Sequence, residues 1–338
     1  MINREYWQEH DHELGDFTLQ SGAVLRSARL HYHQFGALNA PKNNLVLLPT
    51  YYGGTGASNR PWVDDPASPL GGGDYCVIIP CLFGAGESSS PSNTPPPQAG
   101  PDFPLTSIAD NVTAQQALLA ARFGGATPRL VMGWSMGGLQ ALQWAQAYPA
   151  AADSVLAVCA TAKCYPHNRV FLEGVAAALT ADPAFAEGRY PVPPARGLSA
   201  FATVYAGWAY SQAFFRDELY RTLGFASIED LLQYWVEDHL SQDANDLLLQ
   251  LRTWQSANLL PAAGEKARSH GPGILMPSST DLYFTAEDAT RDAASLGMEC
   301  RVIESRFGHV AGGPGRLPEE TRCIFAAARE LLAATARA

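Results

Sequence analysis

The chain has 338 residues, of which 47% are apolar and 17% are charged, a balance typical of a globular protein with a sizeable core. Its length exceeds that of a usual single domain, so we expect one large domain with an insertion. The net charge of −10, without a cluster of lysines or arginines, argues against nucleic acid or a membrane surface as a partner, because both favour a basic patch.

An N-terminal hairpin is predicted over residues 16–36, where apolar and polar residues alternate on both sides of a Ser-Gly turn. Short apolar runs follow, and helical stretches separate several of them. Continuous Val, Ile and Leu runs are typical of strands buried on both faces of a parallel sheet. The predicted strands are 44–50, 75–80, 129–134, 153–160, 273–279 and 299–305, and the predicted helices are 107–122, 138–147, 285–297 and one from 317. This alternation predicts an α/β protein with a mostly parallel central sheet flanked by helices.

Two segments interrupt the alternation of strands and helices. Residues 82–106 are rich in Ser, Pro and Gly and predict a long loop, which we place over the mouth of the active site because such loops are usually functional. Residues 164–266 have the pattern of several helices rich in aromatic residues, which predicts an inserted helical cap. The predicted organisation is a core formed by 1–163 and 267–338, with the cap between them.

A nucleophile motif occupies residues 133–137, which read Gly-Trp-Ser-Met-Gly between a predicted strand and a predicted helix. The turn is so tight that only glycine fits two residues on either side of Ser135, and the serine hydroxyl is left accessible to substrate. The helix that starts at Met136 directs its N–H groups at a developing oxyanion. Since chance alone gives G-x-S-x-G in roughly one such chain in ten, the context of strand, helix and downstream partners carries the assignment.

A serine nucleophile needs a base and an orienting acid, which follow it here in the order acid, then histidine, on loops after strands. His309 is the last histidine in the chain and follows the last predicted strand. Asp281 follows the preceding strand directly, whereas the alternative acids Glu287 and Asp288 lie farther from the strand end. The predicted catalytic triad is therefore Ser135, Asp281 and His309.

The loop at 50–54, Thr-Tyr-Tyr-Gly-Gly, follows an early strand and is expected to supply the second oxyanion donor. We assign the two donors to the main-chain amides of Tyr52 and Met136. The residues expected to bind substrate are Tyr51, Trp134, Tyr205 and Trp208.

No metal site is predicted. The pairs His10/His12 and His31/His33 have the spacing of two ligands on one strand face, but the sequence reveals no third ligand, and zinc needs three or four. The six cysteines are scattered without a C-x-x-C motif and are expected to be reduced. With no signal-peptide core at the N-terminus and no apolar run of about 20 residues, a cytoplasmic protein is expected.

These motifs resemble the homoserine O-acetyltransferase family of α/β-hydrolases almost from end to end. The matching segments are 35–40 (FGALNA), 75–84 (YCVIIPCLFG), 103–104 (FP), 106–110 (TSIAD), Gln115, 135–140 (SMGGLQ), 243–245 (DAN), Asp281 and 308–309 (GH). The resemblance implies the α/β-hydrolase fold with an inserted helical cap, an acyl-enzyme and a homodimer formed through the cap.

The chain departs from this family where substrate is recognised. In the family, an arginine after a Gly-Leu pair in the cap binds the carboxylate of homoserine, whereas here Gly197-Leu198 is followed by no arginine and Ala202 lies near that position. Where the family has a His-Asp pair, this chain has His309-Val310. A neutral, apolar or aromatic substrate is therefore expected, with homoserine a poor acceptor.

The expected function is serine-dependent acyl transfer to and from a small-molecule substrate. If water releases the acyl group, the protein hydrolyses a carboxylic ester, and if an alcohol does, it is an O-acyltransferase that uses an acyl-CoA such as acetyl-CoA as co-substrate. The triad is common to both reactions, but the missing anchor and the aromatic cap favour hydrolysis. No cofactor is expected. A binding protein on an inactive fold is the remaining alternative, which the intact triad argues against.

Overall fold

A computed structural model describes residues 6–261 and 271–335. Within them, eight strands form one sheet in the order β1-β2-β4-β3-β5-β6-β7-β8. The strands are β1 (Trp7–Thr18), β2 (Val24–Phe35), β3 (Leu45–Leu47), β4 (Cys76–Pro80), β5 (Leu130–Trp134), β6 (Val155–Val158), β7 (Gly273–Met276) and β8 (Glu299–Cys300). β2 is antiparallel to both β1 and β4, and the other neighbours are parallel. This arrangement confirms the predicted fold class.

Helices pack on both faces of the sheet. They are α1 (Gly56–Asn59), α2 (Pro61–Asp64), α3 (Ile108–Arg122), α4 (Met136–Ala147), α5 (Pro166–Thr180), α6 (Ala195–Ala209), α7 (Gln212–Arg216), α8 (Ile228–Leu240), α9 (Ala244–Gln255), α10 (Ala286–Leu296) and α11 (Pro318–Ala334). Short 3₁₀ turns lie at Gly100–Asp102, Pro183–Gly188, Leu219–Leu223 and Gly308–Gly312. None of the described helices is long and apolar enough to cross a membrane.

The continuous apolar runs of the central strands are explained by burial on both faces. In β3, Leu45 and Leu47 pack in the core cluster beneath α3 and α4, while Val46 packs in the cluster beneath α11. Successive side chains of a strand point to opposite faces, so both sides of each central strand must be apolar. The sheet is thereby fixed in position, with the carboxyl ends of its parallel strands at one edge.

The ends of the sheet differ from the predicted elements. The N-terminal hairpin begins at Trp7, well before residue 16. The strand predicted over 299–305 is limited to Glu299–Cys300, with one further bridge between Ser278 and Ile303. Both are edge elements, where partial exposure weakens the apolar pattern that marks a strand.

Helices α5 to α9 lie between β6 and β7, within the segment predicted to be a cap, and the boundary proposed at 266 lies outside the described residues. Aromatic side chains fill the junction between these helices and the core. Phe171 of α5 stacks on Tyr283 with ring centroids 5.3 Å apart, and Trp254 of α9 stacks on Phe284 at 5.0 Å. This packing forms a roof over the carboxyl edge of the sheet.

The loop at 82–106 does not lie where it was predicted. It packs against the hairpin and α9, where Ser89 donates its N–H to the Arg29 carbonyl at 2.9 Å and Ser92 donates its N–H to Asp246 at the same distance. The prediction that it covers the mouth of the active site is wrong, because the residues around the catalytic cavity come from other segments.

Candidate active site

Ser135 lies at the turn from β5 to α4 with a φ of 57° and a ψ of −125°, a conformation that L-residues rarely adopt. The flanking glycines are required sterically. A Cβ on Gly133 would lie 2.1 Å from the main chain of Gly137, and a Cβ on Gly137 would lie 2.5 Å from the Pro49 carbonyl oxygen. The sequence Gly-Trp-Ser-Met-Gly thus forms a strained turn that holds the serine at the end of the strand.

Asp281 and His309 are brought together from two separate loops. The Nδ1 of His309 lies 2.6 Å from an Asp281 carboxylate oxygen, and the other oxygen accepts the N–H groups of Tyr283 and Phe284, each at 3.1 Å. Both side chains are at most 5% exposed. Because an ionised carboxylate only accepts, Nδ1 carries the proton and Nε2 is left as the basic nitrogen. Ser135 and His309 line the same cavity.

The two alternative acids are engaged elsewhere. Glu287 forms an ion pair with Arg291 on the same helix, and Asp288 accepts the hydroxyl of Thr285 at the start of α10 at 2.9 Å. Among the described residues, Asp281 is the one of the three candidate acids that contacts His309.

Aromatic rings enclose the imidazole of His309. Trp134 stacks on it with centroids 4.9 Å apart and an interplanar angle of 25°, and Tyr283 lies at 4.4 Å. Burial raises the pKa of the Tyr283 hydroxyl well above its usual range, so this ring stays a neutral phenol. The role of Tyr283 was missed in the sequence, where its position two residues after Asp281 was the available signal.

The loop that carries Tyr52 is fixed at several points. The Tyr52 hydroxyl donates to the Leu247 carbonyl at 3.0 Å, and the Gly53 N–H donates to the Gln250 side chain at 2.8 Å. Within the described residues, the Tyr52 main-chain N–H has no acceptor. Both anchors come from α9, so the cap positions one of the two amides assigned to the oxyanion.

A buried chain of side-chain amides connects this loop to the nucleophile helix. Gln140 of α4 donates to the Thr50 carbonyl at 2.8 Å and accepts from Gln115 at 2.7 Å, and Gln115 accepts from Trp144 at 2.7 Å. All of these groups are buried and paired, which makes such a network rigid. The spacing between the Tyr52 and Met136 amides is thus set by hydrogen bonds.

The cavity in front of Ser135 has a volume of about 140 Å³. Of the residues expected to bind substrate, Tyr51, Trp134 and Tyr205 line it. Trp208 is not among its lining residues, which corrects that prediction: this ring lies 4.9 Å from both His167 and Phe171. On α6, Trp208 lies three residues after Tyr205, and both rings contact Phe171, but only Tyr205 of the two lines the cavity.

A sequence model described as the alpha/beta hydrolase family matches residues 45–320. The chain belongs to this family. It is 32% identical over 320 residues to the ethyl acetate hydrolase of Pseudomonas veronii, covering 90% of this chain and 92% of that protein. It is 31% identical over 338 residues to the homoserine O-succinyltransferase of Hahella chejuensis, covering 87% of each. Among solved structures, the acetyl esterase MekB superposes with a TM-score of 0.91 at 31% identity, covering 98% of this chain and 99% of that one.

This alpha/beta hydrolase therefore has relatives among esterases and among homoserine O-acyltransferases. The resemblance predicted from the sequence motifs is confirmed. The match to MekB extends over nearly the whole of both chains, so the cap as well as the sheet has a counterpart in a solved esterase.

The cavity of this hydrolase also contains charged side chains that the sequence reasoning missed. Asp238 and His239 come from α8, and Arg316 comes from the loop before α11. Burial lowers the pKa of His239, although the neighbouring Asp238 acts in the opposite direction. In the sequence, an Asp-His pair on an amphipathic helix has the pattern of a solvated face, so no signal distinguished it.

The hydrolase has other groups of metal-ligating side chains outside the catalytic site. Within the described residues they are Glu9 with His31 and His33, and His33 with Cys81 and Glu87. The third donor, which the sequence did not reveal, comes from a neighbouring strand or loop. Arg60 contacts His33 Nδ1 at 2.9 Å and Glu9 at 2.6 Å, so a cation already lies here. Because arginine only donates, the proton of neutral His33 is on Nε2, and this nitrogen is not free to bind a metal.

Proposed function

We propose that the protein is a serine esterase that hydrolyses a short-chain carboxylic ester through an acyl-enzyme. The observation that carries this proposal is the 2.6 Å contact between His309 Nδ1 and Asp281, on the same cavity as the strained Ser135. A histidine held in this tautomer presents a basic Nε2 to the cavity, which is what activation of a serine hydroxyl requires.

In the first half-reaction, Ser135 Oγ attacks the ester carbonyl while His309 Nε2 accepts its proton. The amides of Tyr52 and Met136 hold the negative oxygen of the tetrahedral intermediate. The C–O bond to the alcohol then breaks, and His309 returns the proton to the leaving oxygen. Asp281 stays ionised throughout and stabilises the imidazolium that forms.

In the second half-reaction, water takes the place of the alcohol. His309 removes a proton from the water, the resulting hydroxide attacks the acyl-enzyme carbonyl, and the same two amides hold the oxyanion. The bond to Ser135 breaks, the serine regains its proton from His309, and the carboxylic acid leaves. The cycle uses only this chain's own residues, so we propose that no cofactor takes part.

Two observations support a short acyl group. The cavity of about 140 Å³ is small for a binding site, and the rings of Tyr52, Tyr205 and Tyr283 line it, which favours a small substrate beside the serine. Relatives that match most of the chain are named for acetyl esters, among them the ethyl acetate hydrolase and the acetyl esterase MekB.

An O-acyltransferase that takes an acyl group from acetyl-CoA is the second candidate, favoured by the 31% identity to a homoserine O-succinyltransferase. The acyl-enzyme is common to both functions, and only the second nucleophile differs. Val310 follows His309 here, where the family has aspartate. The arginine of the family's cap is also absent, since Ala202 lies near its position. We therefore rank hydrolysis first and keep homoserine as a poor acceptor.

The test measures how the acyl-enzyme partitions between water and alcohols. Purified protein is given ethyl acetate, 4-nitrophenyl acetate or acetyl-CoA, each with and without an alcohol acceptor, and the release of acetate is followed together with the formation of new ester. An esterase releases acetate at the same rate with or without acceptor. Efficient, saturable formation of O-acetylhomoserine from acetyl-CoA would replace hydrolysis by transfer, and Ser135→Ala serves as the inactive control.

We also propose that the protein forms a homodimer through its cap and is cytoplasmic. Val170 and Val204 on neighbouring cap helices are 67% and 39% exposed, and Tyr234 on α8 is 43% exposed. Exposed apolar side chains on these cap helices support the cap as the interface. The six cysteines are all unpaired, which suits a reducing compartment. Light scattering at micromolar concentration that gives the monomer mass of 36.3 kDa would contradict the dimer.

A further inference from the structure

One arginine lies on the wall of the catalytic cavity. Arg316 belongs to the turn after the histidine loop, where its main-chain N–H donates to the Gly313 carbonyl at 3.3 Å. The cap arginines that follow Cys164 do not line this cavity, and Arg189, for example, pairs with Asp102 at 2.9 Å. The arginine in this cavity therefore comes from the sheet domain and not from the cap.

The guanidinium of Arg316 is not neutralised by a carboxylate in the part of the chain that the structure describes. Burial acts to lower the pKa of this guanidinium, and the phenols of Tyr51, Tyr234 and Tyr210 act to raise it, with a raised pKa as the result. Burial raises the pKa of the Tyr51 hydroxyl, so this neighbour is a neutral phenol rather than a counter-ion. Since a guanidinium has five N–H donors, most of them are available to a ligand.

A carboxylate of the protein also lines the cavity but is held by other groups. Asp238 accepts from the Gln242 side chain at 3.0 Å and lies 3.3 Å from His239 Nδ1. It forms no ion pair with Arg316 among the described residues. Among the described residues, the positive charge of Arg316 thus has neutral phenols as neighbours and no carboxylate partner.

The position of Arg316 defines which part of an ester it faces. Ser135 and His309 are each 3% exposed, whereas Arg316 is exposed, so the arginine lies at the outer end of the cavity. It follows His309 by seven residues and lies between the 3₁₀ turn at Gly308–Gly312 and α11. Because His309 protonates the leaving oxygen, the alcohol part of the substrate lies on the histidine side of the serine.

We infer that Arg316 binds a carboxylate carried on the alcohol part of the ester, so that the substrates include short acyl esters of hydroxycarboxylic acids. This inference rests on the proposed esterase function. A planar guanidinium accommodates a carboxylate with two parallel hydrogen bonds, and such charge-assisted pairs are the strongest that side chains form. It also revises the expectation of a purely neutral substrate, which considered only arginines of the cap.

The experiment compares esters that differ in one charge. In 3-acetoxypropanoate and its neutral isostere 3-acetoxypropanamide, the carboxylate or amide is on the alcohol part of the ester. In monomethyl succinate and methyl succinamate, it is on the acyl part. Acetate or methanol release gives kcat/KM for each, and the charged-to-neutral ratio is compared between wild type, Arg316→Gln and Arg316→Lys. Arg322→Gln removes the same charge from an exposed position on α11 and is the matched control.

For the pair with the group on the alcohol side, we expect Arg316→Gln to lower the charged-to-neutral ratio of kcat/KM at least tenfold. Arg316→Lys should lower this ratio less, and Arg322→Gln should leave it within twofold of the wild-type value. Asp238→Asn should raise the same ratio, because it removes a negative charge from the cavity. A ratio unchanged in Arg316→Gln, or a loss confined to the acyl-side pair, overturns the inference while esterase activity stands. If the wild type hydrolyses none of the four esters nor 4-nitrophenyl acetate, it is the esterase function that fails.

Discussion

The indole N–H of Trp134 donates to the main-chain carbonyl of His309, with the nitrogen and oxygen 3.3 Å apart, while the indole ring stacks on the imidazole of the same histidine. Trp134 directly precedes the nucleophile in the chain. This residue therefore connects the end of β5 with the loop that carries the base, so the serine and the histidine are positioned by one side chain.

Trp134→Phe keeps an aromatic ring against His309 but removes the hydrogen bond. A hydrogen bond of this kind contributes about 1 kcal/mol, so we expect kcat to fall about fivefold in ester hydrolysis. Trp134→Leu also removes the ring contact, so its kcat should fall further, by about 30-fold. Trp208→Phe, a substitution of a tryptophan that does not line the cavity, is the control and should keep wild-type kcat. Equal effects at both positions would contradict the proposed coupling.

Asp281→Asn leaves the shape of the side chain intact but favours the wrong tautomer of His309. We expect kcat to fall by about 10³- to 10⁴-fold, as is typical when the orienting acid of such a triad is lost. Asp288→Asn, at one of the alternative acids, should keep activity within about twofold because the contacts of its side chain, with Thr285 and Arg291, are at α10. The assignment would be reversed if the Asp288 variant were the inactive one.

Ser135→Ala should lower ester hydrolysis by about 10⁴-fold or more while the protein stays folded, since the hydroxyl takes part in no structural hydrogen bond among the described residues. A fluorophosphonate probe should add one label per wild-type chain, at Ser135, and none to the variant. Circular dichroism of the variant verifies the fold. Labelling at another serine, or activity within tenfold of wild type, would exclude Ser135 as the nucleophile.

Asp246 of α9 makes stability depend on pH. Burial raises the pKa of this carboxyl to about 7, although its hydrogen bonds to Ser92 act in the opposite direction. In the unfolded chain it ionises near its ordinary value of 3.8. Between about pH 4 and 7 the folded protein thus binds more protons than the unfolded chain, so the free energy of unfolding decreases as pH rises, by at most about 4 kcal/mol from this group.

Asp246→Asn is neutral at every pH and should remove this decrease. We expect the variant to be more stable than wild type at pH 8 and about equally stable at pH 4, and urea unfolding of both proteins at each pH measures the difference. Taking the difference between variant and wild type cancels the titration of all other groups. A stability gap that does not change with pH would contradict the assignment of a raised pKa to Asp246.

Local geometry explains why the elements and the tight turn around Ser135 were predictable from the sequence. Leu45, Val46 and Leu47 are apolar because both faces of their strand are buried, and Gly133 and Gly137 are glycines because no Cβ fits at the turn around Ser135. Such requirements act between residues close in the chain and leave a pattern in it. Edge elements such as β8 were less predictable because partial exposure weakens the pattern.

Contacts between distant residues were decided only by the tertiary structure. Glu287, Asp288 and Asp281 were separated as candidates by their distance from a strand end, but the 2.6 Å contact with His309 required two loops to meet across the edge of the sheet. The same holds for Trp208, which packs against Phe171 and does not line the cavity, and for the loop at 82–106, which packs on the hairpin. The sequence by itself determined the α/β class and the tight turn at Ser135, because strand burial and a tight turn constrain neighbouring residues. Only the fold decided that Arg316 lies in the catalytic cavity, because its distance from Ser135 is set by packing and not by any pattern along the chain.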